Sequence, residues 1–255
     1  MSQNLILKPI LSQPQPVFPL SIAGVKEVFP GFVLGDFAVL QGPSVLSLAS
    51  LLCVKAQLPT QLGGLQSTVV FIEGGNTFRL YQIAQLAQIH HLNPKKVLDN
   101  IFISRAFTAY QETHLIMHQL KEAIKTYNSK LVIISDFAGY FLDTDISEVE
   151  ALRIFSHVAT FVSNFARENH VIVIATYPQH ADTLRNSLLH KQTFAKANVV
   201  LSISRTAYAR KIALEKHPYL PLGAAELHNE SLTIADFADS NAYKQRIEVT
   251  PHGKK

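Results

Sequence analysis

The chain has 255 residues, 47% of them hydrophobic and 16% charged, with a formal net charge of +4. That composition supplies a large core and excludes a disordered chain, while the mild positive charge permits a polyanionic partner without requiring one. A single cysteine, Cys53, excludes an internal disulfide, and no run of about 18 apolar residues marks a membrane span.

Residues 1–20 carry Pro9, Pro14, Pro16 and Pro19 among Gln and Ser, which predicts an extended arm. Pro30 and Gly31 open the folded body. The expected division is a flexible Pro-rich arm over 1–29 and one core domain over 30–255. Phe37–Leu40 is a short apolar strand, Gly42-Pro43 forces a turn, and Val45–Gln57 reads as a buried helix holding Cys53 as a core residue. A strand follows at 68–73. Helical spacing runs over Phe78–His91 and is stopped by Asn93-Pro94. Asn100–Ser104 is a strand, Thr113–Tyr127 a helix, and Leu131–Ser135 a fully buried strand.

Ser147-Glu148-Val149-Glu150 is a capping-box pattern that opens a long helix. Val171–Ala175 is another buried strand. Asn198–Ile203 and Tyr208–Glu215 read as antiparallel strands, and Ser231–Thr250 as a polar hairpin. Apolar strands alternating with helices predict an α/β domain with a mainly parallel twisted sheet covered on both faces, with antiparallel strands extending one edge.

Residues 68–79 and 130–136 have the form of two core strands of a nucleotide-binding α/β domain. The segment upstream, Leu40 to Ala49, has one glycine and no lysine. A phosphate loop needs glycines for close backbone approach, a lysine on the terminal phosphates and a Ser or Thr on magnesium.

Four stretches resemble the RecA/RadA recombinase family, especially its archaeal and eukaryotic branch and the paralogs. Gly74–Arg79 is similar to the family's Glu-Gly-Thr-Phe-Arg segment. Leu92–Ile101 followed by Ser104–Phe107 looks like its Val-Leu-Asp-Asn and Ala-Arg-Ala-Phe passage. Leu131–Asp136 takes the place of the second nucleotide-binding strand. Lys216–Pro221 resembles the Ser-Pro-x-Leu-Pro turn. Together they span about residues 30–225, and the resemblance implies a RecA-like P-loop NTPase core.

Against the family pattern, counting on from Gly42 places Ser47-Leu48-Ala49 at the Gly-Lys-Thr positions. Counting back from Gln57-Leu58-Pro59 places Ser44-Val45-Leu46 there and implies a shortened loop. Neither register supplies a lysine. The family's water-orienting glutamate falls at Gly75, with Glu73 two residues earlier. The polar sensor is displaced to Gln179, behind Pro178. Gly42, Ser47 and Asp136 are the vestigial nucleotide-binding positions. Asp136 reads as a magnesium ligand or, preferably once its partners are gone, as a structural residue. ATP hydrolysis is expected to be absent, nucleotide binding weak or absent, and neither ATP nor magnesium is expected as a cofactor.

The resemblance also implies two DNA-binding loops. The first carries five acidic and no basic residues over 136–150, which repels phosphate. The second is basic, and Arg185, His190, Lys191 and Lys196 are its candidate single-strand DNA contacts; an ordinary basic edge explains it too. Filament-forming relatives dock a Phe-x-x-Ala segment into a neighbouring subunit. Phe18-Pro-Leu-Ser21 is a loose match, and Ala106 and Phe107 mark the receiving region. His114 and His118 have the spacing of two ligands on one helix, but no third ligand follows, so no metal is expected.

The favoured expectation is a noncatalytic RadA-type paralog inside the cell, in cytoplasm, nucleoid or nucleus. It would act as an accessory in homologous recombination and repair. It would bind a recombinase, a paralog or itself, and single-stranded DNA if the basic loop serves. The alternatives are a weak DNA-dependent ATPase with an atypical phosphate loop, and a protein-only interaction module.

Overall fold

The computed structural model describes residues 17–22, 24–205 and 209–228. Eight strands form one sheet in the order β3-β2-β4-β5-β1-β6-β7-β8. They are β1 (Phe37–Gln41), β2 (Thr68–Glu73), β3 (Ile101–Arg105), β4 (Ser129–Ser135), β5 (Ile172–Tyr177), β6 (Val199–Arg205), β7 (Ala209–Lys216) and β8 (Gly223–His228). The first six run parallel, while β7 and β8 are antiparallel additions at one edge.

Both faces of the sheet are covered, which is why its strands are apolar nearly throughout. Helices α1 (Val45–Lys55), α2 (Leu80–Ile89) and α3 (Pro94–Asp99) cover one face. There Ala38, Leu40, Val69, Ile133 and Ile174 meet Leu48, Leu52 and Leu86. Helices α4 (Ala109–His114), α5 (Leu120–Thr126), α6 (Glu148–Asn169) and α7 (Leu184–Lys196) cover the other. There Phe37, Val39, Val132 and Val173 meet Ile116, Phe155, Val162 and Leu189. A π turn over Leu115–Gln119 joins α4 to α5. Ser147 caps α6 by accepting from the Glu150 N–H at 3.3 Å, as the sequence pattern predicts. Cys53 is buried in α1, and burial pushes its thiol pKa up. No helix among the described residues is long and apolar enough to cross a membrane.

Three elements depart from the sequence reading. Asn93-Pro94 does stop α2, but it also starts α3, because Asn93 caps it and proline is tolerated in a first turn. The basic segment after β5 is the helix α7. β8 follows the Leu-Pro turn without any apolar run to announce it. The expected hairpin over Ser231–Thr250 lies outside the described residues.

The expected boundary at residue 30 is also corrected. Phe18, Leu20, Ile22, Val25 and Phe29 are buried in the core beneath α1. Phe18 and Phe32 exchange backbone hydrogen bonds of 2.7 and 2.9 Å. Gly31 permits the approach: its φ is +147°, and a Cβ there would stand 2.4 Å from the Phe18 carbonyl oxygen. The Lys55 ammonium donates to the Pro19 carbonyl at 3.2 Å and to the Ser21 hydroxyl. The folded body therefore includes residues 17–22 and 24–29. Residues 1–16 of the expected arm lie outside the described residues. Phe18→Ala should cost about 3–5 kcal/mol in chemical denaturation. A loss below about 1 kcal/mol would show that this segment does not pack as described.

Candidate functional site

The carboxyl ends of the parallel strands are where α/β proteins place chemistry. At β1 the connection is short. Three residues, Gly42, Pro43 and Ser44, lead from Gln41 into α1. Gly42 has φ +103°, and a Cβ there would lie 2.1 Å from the Ile203 carbonyl oxygen of β6. The glycine is thus required by the approach of a neighbouring strand. Ser44 adopts a left-handed conformation and makes no side-chain cap. Ser47 lies inside the first turn of α1, its N–H donating to the Ser44 carbonyl at 3.0 Å.

At β2, Glu73 is fully buried. One carboxylate oxygen takes the Arg105 Nε at 2.6 Å, and the other accepts the Phe78 N–H at 2.7 Å. It ties β2 to β3 and to the segment entering α2. Gly75 follows with φ +71°, its N–H donating to the Tyr140 hydroxyl, which itself donates to the Ala106 carbonyl.

Asp136, just past β4, is left-handed with φ 53°. Its N–H donates to the Thr176 hydroxyl at 2.9 Å, and its Oδ1 lies 2.7 Å from His180 Nε2. Its Oδ2 sits against Gly139, where a Cβ would be only 2.6 Å away. His180 was missed in the sequence reading. Its only signal there is that it follows the displaced Gln179.

Glu112 was missed too. It falls on the buried stripe of α4 with Ala109, and neither carboxylate oxygen has a hydrogen-bond partner. Burial, and then the charge of Asp136, push its pKa well above the ordinary range. Tyr177 is raised by the same two causes in the same order.

The expected single-strand binding loop is helical, so the four candidate DNA residues ride on α7. Thr183 caps it, and Asn186 meets the Tyr177 hydroxyl at 2.7 Å. His190 is tied to the Gln41 side chain at the end of β1. Arg185 is half-buried, with Nε and one terminal nitrogen unpartnered. Lys191 and Lys196 are exposed. Five positions apart, they point about 140° away from each other around the helix axis. Phe194 is half-buried under Lys216, whose ammonium lies 5.4 Å from its ring and donates to the Phe194 and Ala195 carbonyls. That ring is not presented for base stacking. The structure therefore does not bring the four residues together as one surface.

The partner residues separate in the same way. Phe18 belongs to its own core, because its backbone bridges to Phe32, and Ala106 is fully buried because its backbone closes on Glu73. Only Phe107 is exposed. It follows β3, which among the described residues is one of the two edge strands of the sheet, and where Ile103 is exposed as well. A groove of about 380 Å³ runs beside this edge, lined by Val70, Ile72, Ser104, Leu115, Gln119 and Glu122 among others.

Comparisons with known proteins agree with this architecture. A family model described as Rad51 matches residues 27–206. The chain is also similar to the DNA repair and recombination protein RadA of Cenarchaeum symbiosum (strain A), with 30% identity over 109 residues. That stretch is 43% of this chain and 26% of RadA, so the chain spans well under two thirds of that relative's length.

The buried Glu112 has a consequence for pH. The folded chain keeps its proton above 4.5, where the unfolded carboxyl releases it. The folded state therefore binds the extra proton, and stability falls as pH rises from 4.5 towards the folded value. Glu112→Gln should flatten that slope in thermal melts taken across pH. An unchanged slope would mean that Glu112 is not the group responsible.

Proposed function

We propose a function on one premise: the chain belongs to the Rad51 family. It serves DNA recombination and repair inside the cell as an accessory subunit. It binds a recombinase, a paralog or a second copy of itself, and it does not turn over ATP. ATP and magnesium are not cofactors in this reading.

The β1–α1 connection is the observation that carries the proposal. Phosphoryl transfer depends on backbone amides around the phosphates, a lysine, a magnesium ligand and a positioned water. The connection has three residues and no lysine, and the Ile203 carbonyl closes against Gly42. Other contacts support the same reading. Glu73 is committed to Arg105 and Phe78, Asp136 pairs with His180, and the position expected to orient water is Gly75.

The partner surface in this proposal is the β3 edge. An unpaired strand presents a row of N–H and C=O groups to an incoming strand, and side-chain pockets beside it give selectivity. Alternate side chains of an added strand would enter the groove over Val70 and Ile72, while the others cover Ile103.

Two measurements test this. The purified chain with magnesium and single-stranded DNA should show no ATP turnover above a no-protein control. Turnover that disappears with Asp136→Ala would replace this reading with a weak DNA-dependent ATPase. Ile103→Asp should weaken association about tenfold or more in light scattering, for the chain alone and with a co-expressed recombinase. Unchanged association would remove β3 as the docking edge.

A further inference from the structure

The helical run from α4 to α5 carries two histidines on its outer side. Ile116 and Leu120 turn inward and are buried against the sheet. Positions two residues away point to the opposite side of a helix, so His114 and His118 face solvent, and both are exposed. Among the described residues, the partner of each ring is the other ring. Their centroids are 5.2 Å apart and their planes are tilted by 37°.

The backbone sets this approach. His114 ends α4, and His118 lies in the π turn over Leu115–Gln119. In an α-helix, positions four apart are offset by about 40° around the axis. A π turn closes its hydrogen bonds one residue later, so positions four apart stack more nearly in line. Such turns inside helices are frequent at functional sites. A zinc ion held by an imidazole nitrogen lies about 2.0–2.1 Å from it, and so about 3.2 Å from the ring centre. Two such arms meeting at the tetrahedral angle set the ring centres about 5.2 Å apart. That is the separation between these two rings. The χ2 torsion of histidine is soft, so both rings can turn towards one ion while the backbone stays in place.

We propose that His114 and His118 form a two-histidine site for a divalent ion of the zinc and copper class. Imidazole suits these ions, whereas magnesium and calcium take oxygen ligands. No third His, Cys, Asp or Glu joins the pair among the described residues, and the sequence expectation of no metal rested on that gap. The gap excludes a closed structural site with four protein ligands and leaves an open one. Here the pair chelates the ion, and water fills the remaining positions on the solvent side. The site stands apart from the strand ends around Asp136 and goes beyond the accessory role. An ion bridging residues 114 and 118 staples the helix across its π turn, whose Leu115 and Gln119 line the groove beside β3.

The test uses the full chain without a histidine tag and the metal salts alone as probes. Zinc is titrated in competition with a chromophoric zinc indicator, for the wild type, His114→Ala, His118→Ala and the double variant. The wild type should take up an equivalent of zinc at micromolar concentration, and a large excess of magnesium should leave it bound. Even outer-shell partners of a metal ligand are worth about 10–100-fold, so each single substitution should weaken that equivalent about tenfold or more. The chain has 11 histidines, so the copper(II) form is also read by electron paramagnetic resonance. The nitrogen splitting from two imidazoles should diminish with either substitution. Both side chains are exposed, and thermal melting without metal checks each fold; should one variant unfold, the other decides. A wild type that takes up no zinc overturns the inference, as do folded variants that bind zinc and copper as the wild type does.

Discussion

Asp136 holds its carboxylate between His180 and the glycine at 139, and much of the carboxyl edge is arranged around that one charge. Its backbone N–H is fixed to Thr176 on β5, so β4 and β5 are locked at their ends. The left-handed turn at Asp136 aims the chain into the short helical turn Gly139–Leu142, whose Tyr140 hydroxyl bridges Gly75 and Ala106. The same charge adds to burial in raising Glu112 and Tyr177. Burial raises both of these acids most, and the neighbouring carboxylate pushes each in the same direction.

The carboxyl edge is thereby built from internal contacts. Glu73 ends β2 in an ion pair with Arg105, whose side chain is 47% exposed. Because the carboxylate is fully buried, removing the arginine would leave an unpaired charge, which is the expensive way to break such a pair. Gln41 ends β1 between Glu215 and His190. In the proposed accessory role these groups shape and stiffen a scaffold. Fold and chemistry are separable in this way because the apolar sheet carries most of the stability while the strand ends carry the reacting groups.

Much of this architecture was legible in the sequence because it follows from local pattern. Leu131–Ser135 and residues 68–73 are apolar runs of strand length, and Ser147 with Glu150 announces α6. Long-range contacts were not legible. Phe18 sits among prolines, which locally read as a linker, and its burial depends on a glycine 13 positions later that lets two backbone segments touch. α7 escaped detection because its buried stripe is thin, resting on Leu189 and Thr193, while Leu184 is exposed. At the site, the absence of a lysine is visible in the Leu40–Ala49 segment itself. The His180–Asp136 contact and the orphan Glu112 were not, since each spans elements brought together only by the sheet order.

The burial of Cys53 has a practical consequence. A thiol enclosed in α1 and resistant to ionisation is nearly unreactive, since the thiolate is the attacking species. The chain has no other cysteine. A thiol-reactive dye therefore stays dark on the native protein and labels it only when the α1 layer lifts from the sheet. The chain thus carries its own chemical clock for local opening, on the face where the Phe18 segment and the β1–α1 turn meet.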